Sequence, residues 1–211
     1  MRNVWNIGLL ALLWLSTGCT KIYQSTDAPR VAAEHRRIAI LPPTVTLQGR
    51  VKLTDSAKPT AELEAETGRE LQRALFTWML ERQMDGEFAT VAVQDPQSTN
   101  AQLRQLGYFE NKDLSNAWLA EMLKVDAVIT ADFRLDYILR SEVATAINIL
   151  TDAPLPARQG NVWLKLYDGT EDRIIWSYDR RLSRRYGQRP ESIINGVMRH
   201  ASRKMPYRVA S

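Results

Sequence analysis

The apolar run over residues 7–15, followed at once by Ser16-Thr17-Gly18-Cys19, divides the chain before any fold is considered. The run is about nine residues long, against the roughly 20 that a helix needs to cross a bilayer. With Arg2 before it and small residues after it, the segment has the parts of a secretory signal peptide: a basic start, a short apolar stretch and a cut site. Cys19 is the only cysteine. Whatever folds downstream therefore holds together without a disulfide, even in an oxidising compartment.

Ser16-Thr17-Gly18-Cys19 resembles the lipobox of bacterial lipoproteins, departing from it in that Ser16 stands where Leu is most common. The resemblance implies acylation of the Cys19 thiol by chains such as palmitate, cleavage between Gly18 and Cys19, and a mature protein held in a membrane by its first residue. A single acyl chain, at about 0.8 kcal/mol per buried methylene, gives marginal attachment, and two chains give stable attachment. Thr20 occupies the place where an inner-membrane retention signal has Asp, which by the same resemblance implies the outer membrane and its periplasmic face.

Removing residues 1–18 from the 211 leaves 193, enough for one domain with a sizeable core. The formal charge falls only from +4 to +3, since Arg2 is the one charged residue lost. That weak positive balance, with charges of both signs interspersed, does not call for nucleic acid. Residues 19–36 show little periodicity and are expected to form a lipid-anchored tether. Its 17 residues after the cysteine span at most roughly 60 Å at 3.3–3.6 Å per residue. The domain is expected over residues 37–211.

Within it, Arg37-Ile38-Ala39-Ile40-Leu41 predicts a buried strand that Pro42-Pro43 ends, with a polar loop over residues 44–58. Pro59 and Thr60 open a long helix, along which Gly68, Leu71, Leu75, Trp78 and Met79 recur at helical spacing until about Gln83, before Asp85-Gly86. Residues 88–93 predict a second strand ended by Asp95-Pro96. Ser98 or Thr99 is the expected cap of a short helix carrying Leu103 and Leu106. Residues 113–124 predict another helix, with Leu114, Trp118, Leu119 and Met122 on one stripe. The alternation of Ala127, Ile129, Ala131, Phe133, Leu135, Tyr137 and Leu139 with polar residues predicts a long strand over residues 125–139. Residues 141–151 fit helix or strand equally. Residues 161–167 and 173–178 flank Asp168-Gly169, a hairpin signal whose loop is either that dipeptide or a longer one through Asp172, with Ile175 or Trp176 inward. A last helix is expected over residues 190–204, with cations in its final turns to complement the dipole.

This order predicts an α/β fold: a single sandwich domain with a mixed sheet of about five strands and flanking helices. Its chemistry is sparse. Asp132, Arg134 and Asp136 share one strand face but have no histidine or nucleophile beside them, so they read as a solvated, mutually paired face. His35 and His200 lack metal-ligand spacing and read as surface residues, leaving no metal ligands and no cofactor site. Neither a phosphate loop nor a Gly-x-Ser-x-Gly elbow occurs. No catalytic residue is expected. The one concentration of charge is Arg180, Arg181, Arg184, Arg185 and Arg189, a candidate contact for phosphates, lipid headgroups or an acidic partner, balanced by Asp168, Glu171, Asp172 and Asp179 nearby in sequence.

Four packing motifs now stand in order: the apolar strand ending in Pro42-Pro43; a long helix before residues 88–93; a helix running into Val125-Asp126-Ala127-Val128-Ile129; and Leu164-Lys165-Leu166-Tyr167-Asp168-Gly169 answered by Ile175-Trp176-Ser177. In this order the chain resembles the superfamily of envelope lipoproteins that includes curli-secretion lipoproteins, penicillin-binding-protein activators and related uncharacterised periplasmic lipoproteins. The resemblance implies a two- or three-layered α/β domain that binds envelope proteins, or copies of itself, without catalysing a reaction. The expected role is a component of an envelope, secretion or surface-structure machine, with regulation of a cell-wall synthase or hydrolase as the alternative. Residues 139–161 are poor material for a barrel wall, which argues against a self-formed pore.

Overall fold

The Arg37–Ile40 strand (β2) runs parallel to Ala127–Tyr137 (β5), with Ile38, Ala39 and Ile40 opposite Ala127, Val128 and Ile129. Around this pair the computed structural model describes residues 20–48, 60–111, 113–137, 157–182 and 189–209. They form a seven-stranded mixed sheet with helices on both faces. Its other strands are Lys21–Gln24 (β1), Thr44–Gln48 (β3), Ala92–Val93 (β4), Ala157–Asp168 (β6) and Arg173–Leu182 (β7), in the order β1-β7-β6-β5-β2-β4 with β3 also on β5. The helices are Ala28–Glu34 (α1), Thr60–Met84 (α2), Pro96–Gln105 (α3), Asn116–Leu123 (α4) and Pro190–Ala201 (α5).

The mixed α/β sandwich predicted from the sequence is the fold observed, with two strands more than expected. One is β1. Residues 20–36 are not a free tether: Lys21 pairs with Asp179 and Gln24 with Trp176 in an antiparallel ladder, and Ala28, Val31 and Ala32 of α1 are buried in the core. The sequence concealed this because a four-residue edge strand alternates only twice, and a seven-residue helix buries one short stripe of small residues.

The other is β3. Pro42-Pro43 interrupts the strand but does not expel the chain, which rejoins the same edge of β5 with Thr44 opposite Asp132 and Gln48 opposite Asp136. The break is stitched from above by α2. Gly68 sits so close to the Pro43 carbonyl that a Cβ there would come within 2.6 Å of the oxygen. One turn on, the buried Gln72 donates to the Ile40 carbonyl at 2.7 Å and exchanges hydrogen bonds with the amide of Asn100. The Ile38 carbonyl accepts from Gln94 N–H beyond β4, and the next carbonyl on that side, Ile40, finds its partner in Gln72, as buried backbone groups must.

Smaller departures have equally local causes. The strand expected over residues 88–93 shrinks to β4, because Ala89 N–H turns to the Tyr207 carbonyl and Phe88 bridges to Arg208. Asp95, not Ser98 or Thr99, caps α3 by accepting from Ser98 N–H, with Pro96 opening the helix. Ile175 and Trp176 both point inward, because a bulge opposite Leu166/Tyr167 inserts Ile175 as an extra residue. The ambiguous residues 141–151 lie outside the described residues.

The core divides by sheet face. One cluster joins α1, α2 and α5 to Ile38, Ile40, Phe133, Leu135, Val162, Leu164, Leu166, Trp176 and Tyr178. The other places Leu103 of α3 and Leu119, Ala120 and Leu123 of α4 against Ala39, Leu41 and Val128, with Tyr167 at its margin. The second cluster covers only the β2 side and the start of β5.

Candidate functional site

The antiparallel register of β1 on β7 fixes where the chain's beginning meets the sheet. Lys21 lies level with Asp179, and across the sheet Asp179 faces Trp163 and Trp163 faces Asp132. The chain therefore enters at the pole where β7 ends and β6 begins. Gly18 and Cys19 lie outside the described residues; Thr20 is the first described residue, immediately before β1.

The arginine cluster is divided by the strand that carries it. Successive side chains on a strand point to opposite faces, so Arg180 lies on the α5 side and Arg181 on the other. Arg180 donates to the Tyr178 hydroxyl at 3.5 Å. It also faces His200 of α5, whose pKa is lowered by burial first and then by Arg180, Arg203 and Arg199. Arg181 is exposed and stands opposite Asn161. Arg189 is the residue before the first turn of α5. Arg184 and Arg185 lie outside the described residues. The sequence cluster is thus not one patch on one face.

Asp132 and Arg134 do share a face with Arg181, and the Arg134 guanidinium stacks over the Trp163 ring at 5.0 Å from its centroid. The backbone register places Asp136 on this face as well. Among the described residues no group of three or more His, Cys, Asp and Glu has the arrangement to hold a metal ion.

The opposite pole holds a side-chain chain that sequence spacing gave no means to see. His35 is not a surface residue: it is 8% exposed, one residue outside α1, with both ring nitrogens occupied. Nε2 lies 3.1 Å from Asp168 Oδ1 and Nδ1 lies 2.7 Å from the Tyr207 hydroxyl. Asp168 and Tyr207 are buried too. The chemistry assigns the proton positions: Nε2–H donates to the carboxylate, so Nδ1 accepts from the phenol. Burial first, then the carboxylates of Asp126 and Asp168, push the Tyr207 phenol well above its ordinary pKa, which keeps the O–H as a donor. The other Asp168 oxygen accepts from Glu171 N–H at 2.9 Å and so ties the β6–β7 turn into the same chain.

Aspartate, histidine and a hydroxyl in line are the parts of a nucleophile relay, yet the terminal oxygen here belongs to a side chain that is 2% exposed. What the arrangement does is join three parts of the chain separated by 133 and 172 residues. Beside it, Arg173 at the start of β7 reaches Asp27 ahead of α1, with Nη1 3.1 Å from Oδ1. The Arg173 hydrogen bond and then the Ser25 hydroxyl hold the Asp27 carboxyl down to about 2.

No model of a known protein family matches the chain, and no curated protein matches it. Among solved structures it is similar to the PelC dodecamer from Paraburkholderia phytofirmans, with 12% identity over 92% of this chain and 100% of that one at a TM-score of 0.38. It is similar to lipoprotein GNA1162 from Neisseria meningitidis, with 13% identity over 70% of this chain and 80% of that one at a TM-score of 0.36. A third is the LpoB C-terminal domain from Salmonella enterica, with 12% identity over 74% of this chain and 94% of that one at a TM-score of 0.35.

Proposed function

We propose that this chain is an acylated lipoprotein, held through Cys19 in the outer membrane with its α/β domain on the periplasmic side, and that it acts by binding protein partners in an envelope or secretion assembly rather than by catalysis. The observation that carries the reading is the start of β1 at Lys21, two residues after the lipobox-like Cys19. A signal segment that ends at a cysteine and passes directly into a folded strand suits an anchor for a domain that works against its own membrane. The burial of His35, Asp168 and Tyr207 supports a binding role, since this relay-like set of side chains serves the fold.

The alternative role is regulating a cell-wall synthase or hydrolase, and for an inner-membrane synthase it requires reach across the wall. Folding residues 21–36 into the sheet removes the tether of roughly 60 Å on which that reach depended. Mass analysis of the mature N-terminus tests the anchor: an acylated Cys19 is expected, and an unmodified one overturns it. Crosslinking in intact envelopes followed by pull-down tests the role. Assembly or secretion components are expected, alone or with further copies of this chain, and recovery of wall synthases alone overturns the reading.

A further inference from the structure

We infer that the part of the second sheet face beside the chain's entry that no described helix covers is a contact surface for anionic lipid headgroups, formed by Lys21, Tyr23, Arg134, Trp163 and Arg181. The inference rests on acylation of Cys19, as proposed above, and adds the surface that the anchor brings to the membrane.

Register puts the five on one side of the sheet. Lys21 is level with Asp179 and Tyr23 with Ser177; Asp179 is level with Trp163 and Arg181 with Asn161; Trp163 and Asn161 are level with Asp132 and Arg134. Paired residues in register share a face and residues two apart on a strand repeat it. The opposite face here is the one filled by α1, α2 and α5. On this face the apolar packing of α3 and α4 ends at Val128 and Tyr167, with Tyr108 after α3 reaching the neighbourhood of Asp132. Among the described residues no helix packs over the half that lies toward the entry pole.

That half is partly exposed, and its cations outnumber its carboxylates by one. Lys21, Arg134 and Arg181 are exposed, and Tyr23, at 53%, is among the most exposed large side chains of the structure. Lys165 is the fourth cation of this face, half-buried, and its carboxylates are Asp132 and Asp179, both half-buried, with Asp136 placed there by register. The Arg134 guanidinium lying on the Trp163 ring gives a flat, weakly hydrated cation backed by an indole, and Tyr23 adds an amphipathic ring. Such groups favour the headgroup layer, where aromatic rings settle and Lys or Arg meets anionic phosphates.

The length of chain before the sheet selects a bilayer as the occupant. Two residues from Cys19 to Lys21 span at most about 7 Å, close to the roughly 5–7 Å depth of one headgroup layer. An acylated Cys19 cannot be in the bilayer without holding Lys21 at its surface, and β7 carries Arg181 beyond the level of Lys21 toward that surface.

The test uses the acylated mature protein in vesicles of phosphatidylethanolamine with or without phosphatidylglycerol. Acylation occupies the only native thiol, so Asn161→Cys, between Arg134 and Arg181, or Arg208→Cys at the other pole provides a single site for a fluorophore. The expected result is protection of the label at 161 from acrylamide on phosphatidylglycerol vesicles, no protection at 208, and loss of protection at high salt. Each cation near an anionic surface favours contact by about fivefold, so Arg134→Ser with Arg181→Ser should shift the docked-to-undocked ratio by about 25-fold, with circular dichroism unchanged. Equal quenching at 161 and 208, or protection that survives both substitutions, overturns the inference while leaving the anchor intact. Failure to co-sediment with vesicles, together with a second label on Cys19, overturns the anchor and the inference with it.

Discussion

Replacing His35 by Leu tests the reading that the chain's first folded segment is pinned, and the structure sets the size of the effect. Leucine roughly fills the imidazole's volume, so the cavity contribution is small. Two buried groups lose their partner: the Tyr207 hydroxyl, 2.7 Å from Nδ1, and Asp168 Oδ1, 3.1 Å from Nε2. A buried neutral group left unpaired costs about 1–3 kcal/mol and a charged one more. Asp168 keeps its bond from Glu171 N–H, which limits its share, and the sum is about 3–5 kcal/mol. Against a total stability of about 5–15 kcal/mol this is a large fraction. Urea unfolding followed by tryptophan fluorescence reads it, since Trp176 is fully buried. Tyr207→Phe alone should cost about 1–2 kcal/mol, and the double variant should fall short of the sum by about 1–2 kcal/mol, because the two share one hydrogen bond. A cost below about 1 kcal/mol for His35→Leu, or strict additivity with Tyr207→Phe, would refute the buried chain; a solvated histidine gives a cost within about 0.5 kcal/mol of zero.

Three further outcomes are expected. Gln72→Leu strands the Ile40 carbonyl and the Asn100 amide that Gln72 serves, and should lower stability by about 2–4 kcal/mol in the same urea assay. The Asp27 carboxyl is held at about 2 against an ordinary 3.8, a depressed folded-state value, so its stabilising contribution is full above 3.8 and is lost as pH falls toward 2. The stability gap between the protein and Asp27→Asn should close over that window, and a gap constant from neutral pH down to 2 would contradict the Arg173 pairing. Glu70 moves the other way: burial first, then Glu66 and Glu191, raise its pKa above 4.5. Its ionised form is therefore disfavoured in the fold. Glu70→Gln should stabilise the protein at neutral pH by about 0.2–0.5 kcal/mol, the cost of a like-charge pair four residues apart on a helix, and the gain should vanish below 4.5, as urea midpoints taken across pH would show.

The elements legible in the sequence were those whose pattern is long. The stripe from Gly68 to Met79 recurs over several turns, and the alternation through Ala131, Phe133 and Leu135 is sustained along β5. Asp168-Gly169 was legible as a turn, and the hairpin around it formed with its loop ending at Asp172. What escaped was short or depended on distant groups. Lys21–Gln24 is a strand only because β7 offers an open edge, and Thr44–Gln48 is one because the chain rejoins β5 past Pro42-Pro43. Of the candidate site residues, composition located the arginines but could not divide them, because the division depends on which way each strand position points. His35 was visible as a residue and invisible as a contact, since nothing local relates it to Asp168 and Tyr207.

The folding of residues 20–36 against the sheet has a mechanical consequence. Residues 20–36 run along the outer edge of the sheet from one pole to the other: Lys21 near the end of β7, Ser25 N–H on the Ile175 carbonyl, Asp27 on Arg173 at the start of β7, then His35 on Asp168, the register partner of Arg173. With Cys19 acylated, a pull on the domain enters at the β7-end pole along the direction of β1. It loads the β1–β7 hydrogen bonds together in shear rather than one at a time, and the His35 chain fixes the far end. The domain is then held at a set height. β7 has ten residues, which at about 3.3 Å each place the opposite pole roughly 30 Å from the entry pole. With the entry pole at the bilayer, a site at the opposite pole lies within about that distance of it, so the proposed anchor, with residues 20–36 folded against the sheet, favours an assembly built at the membrane over a regulator that reaches away from it.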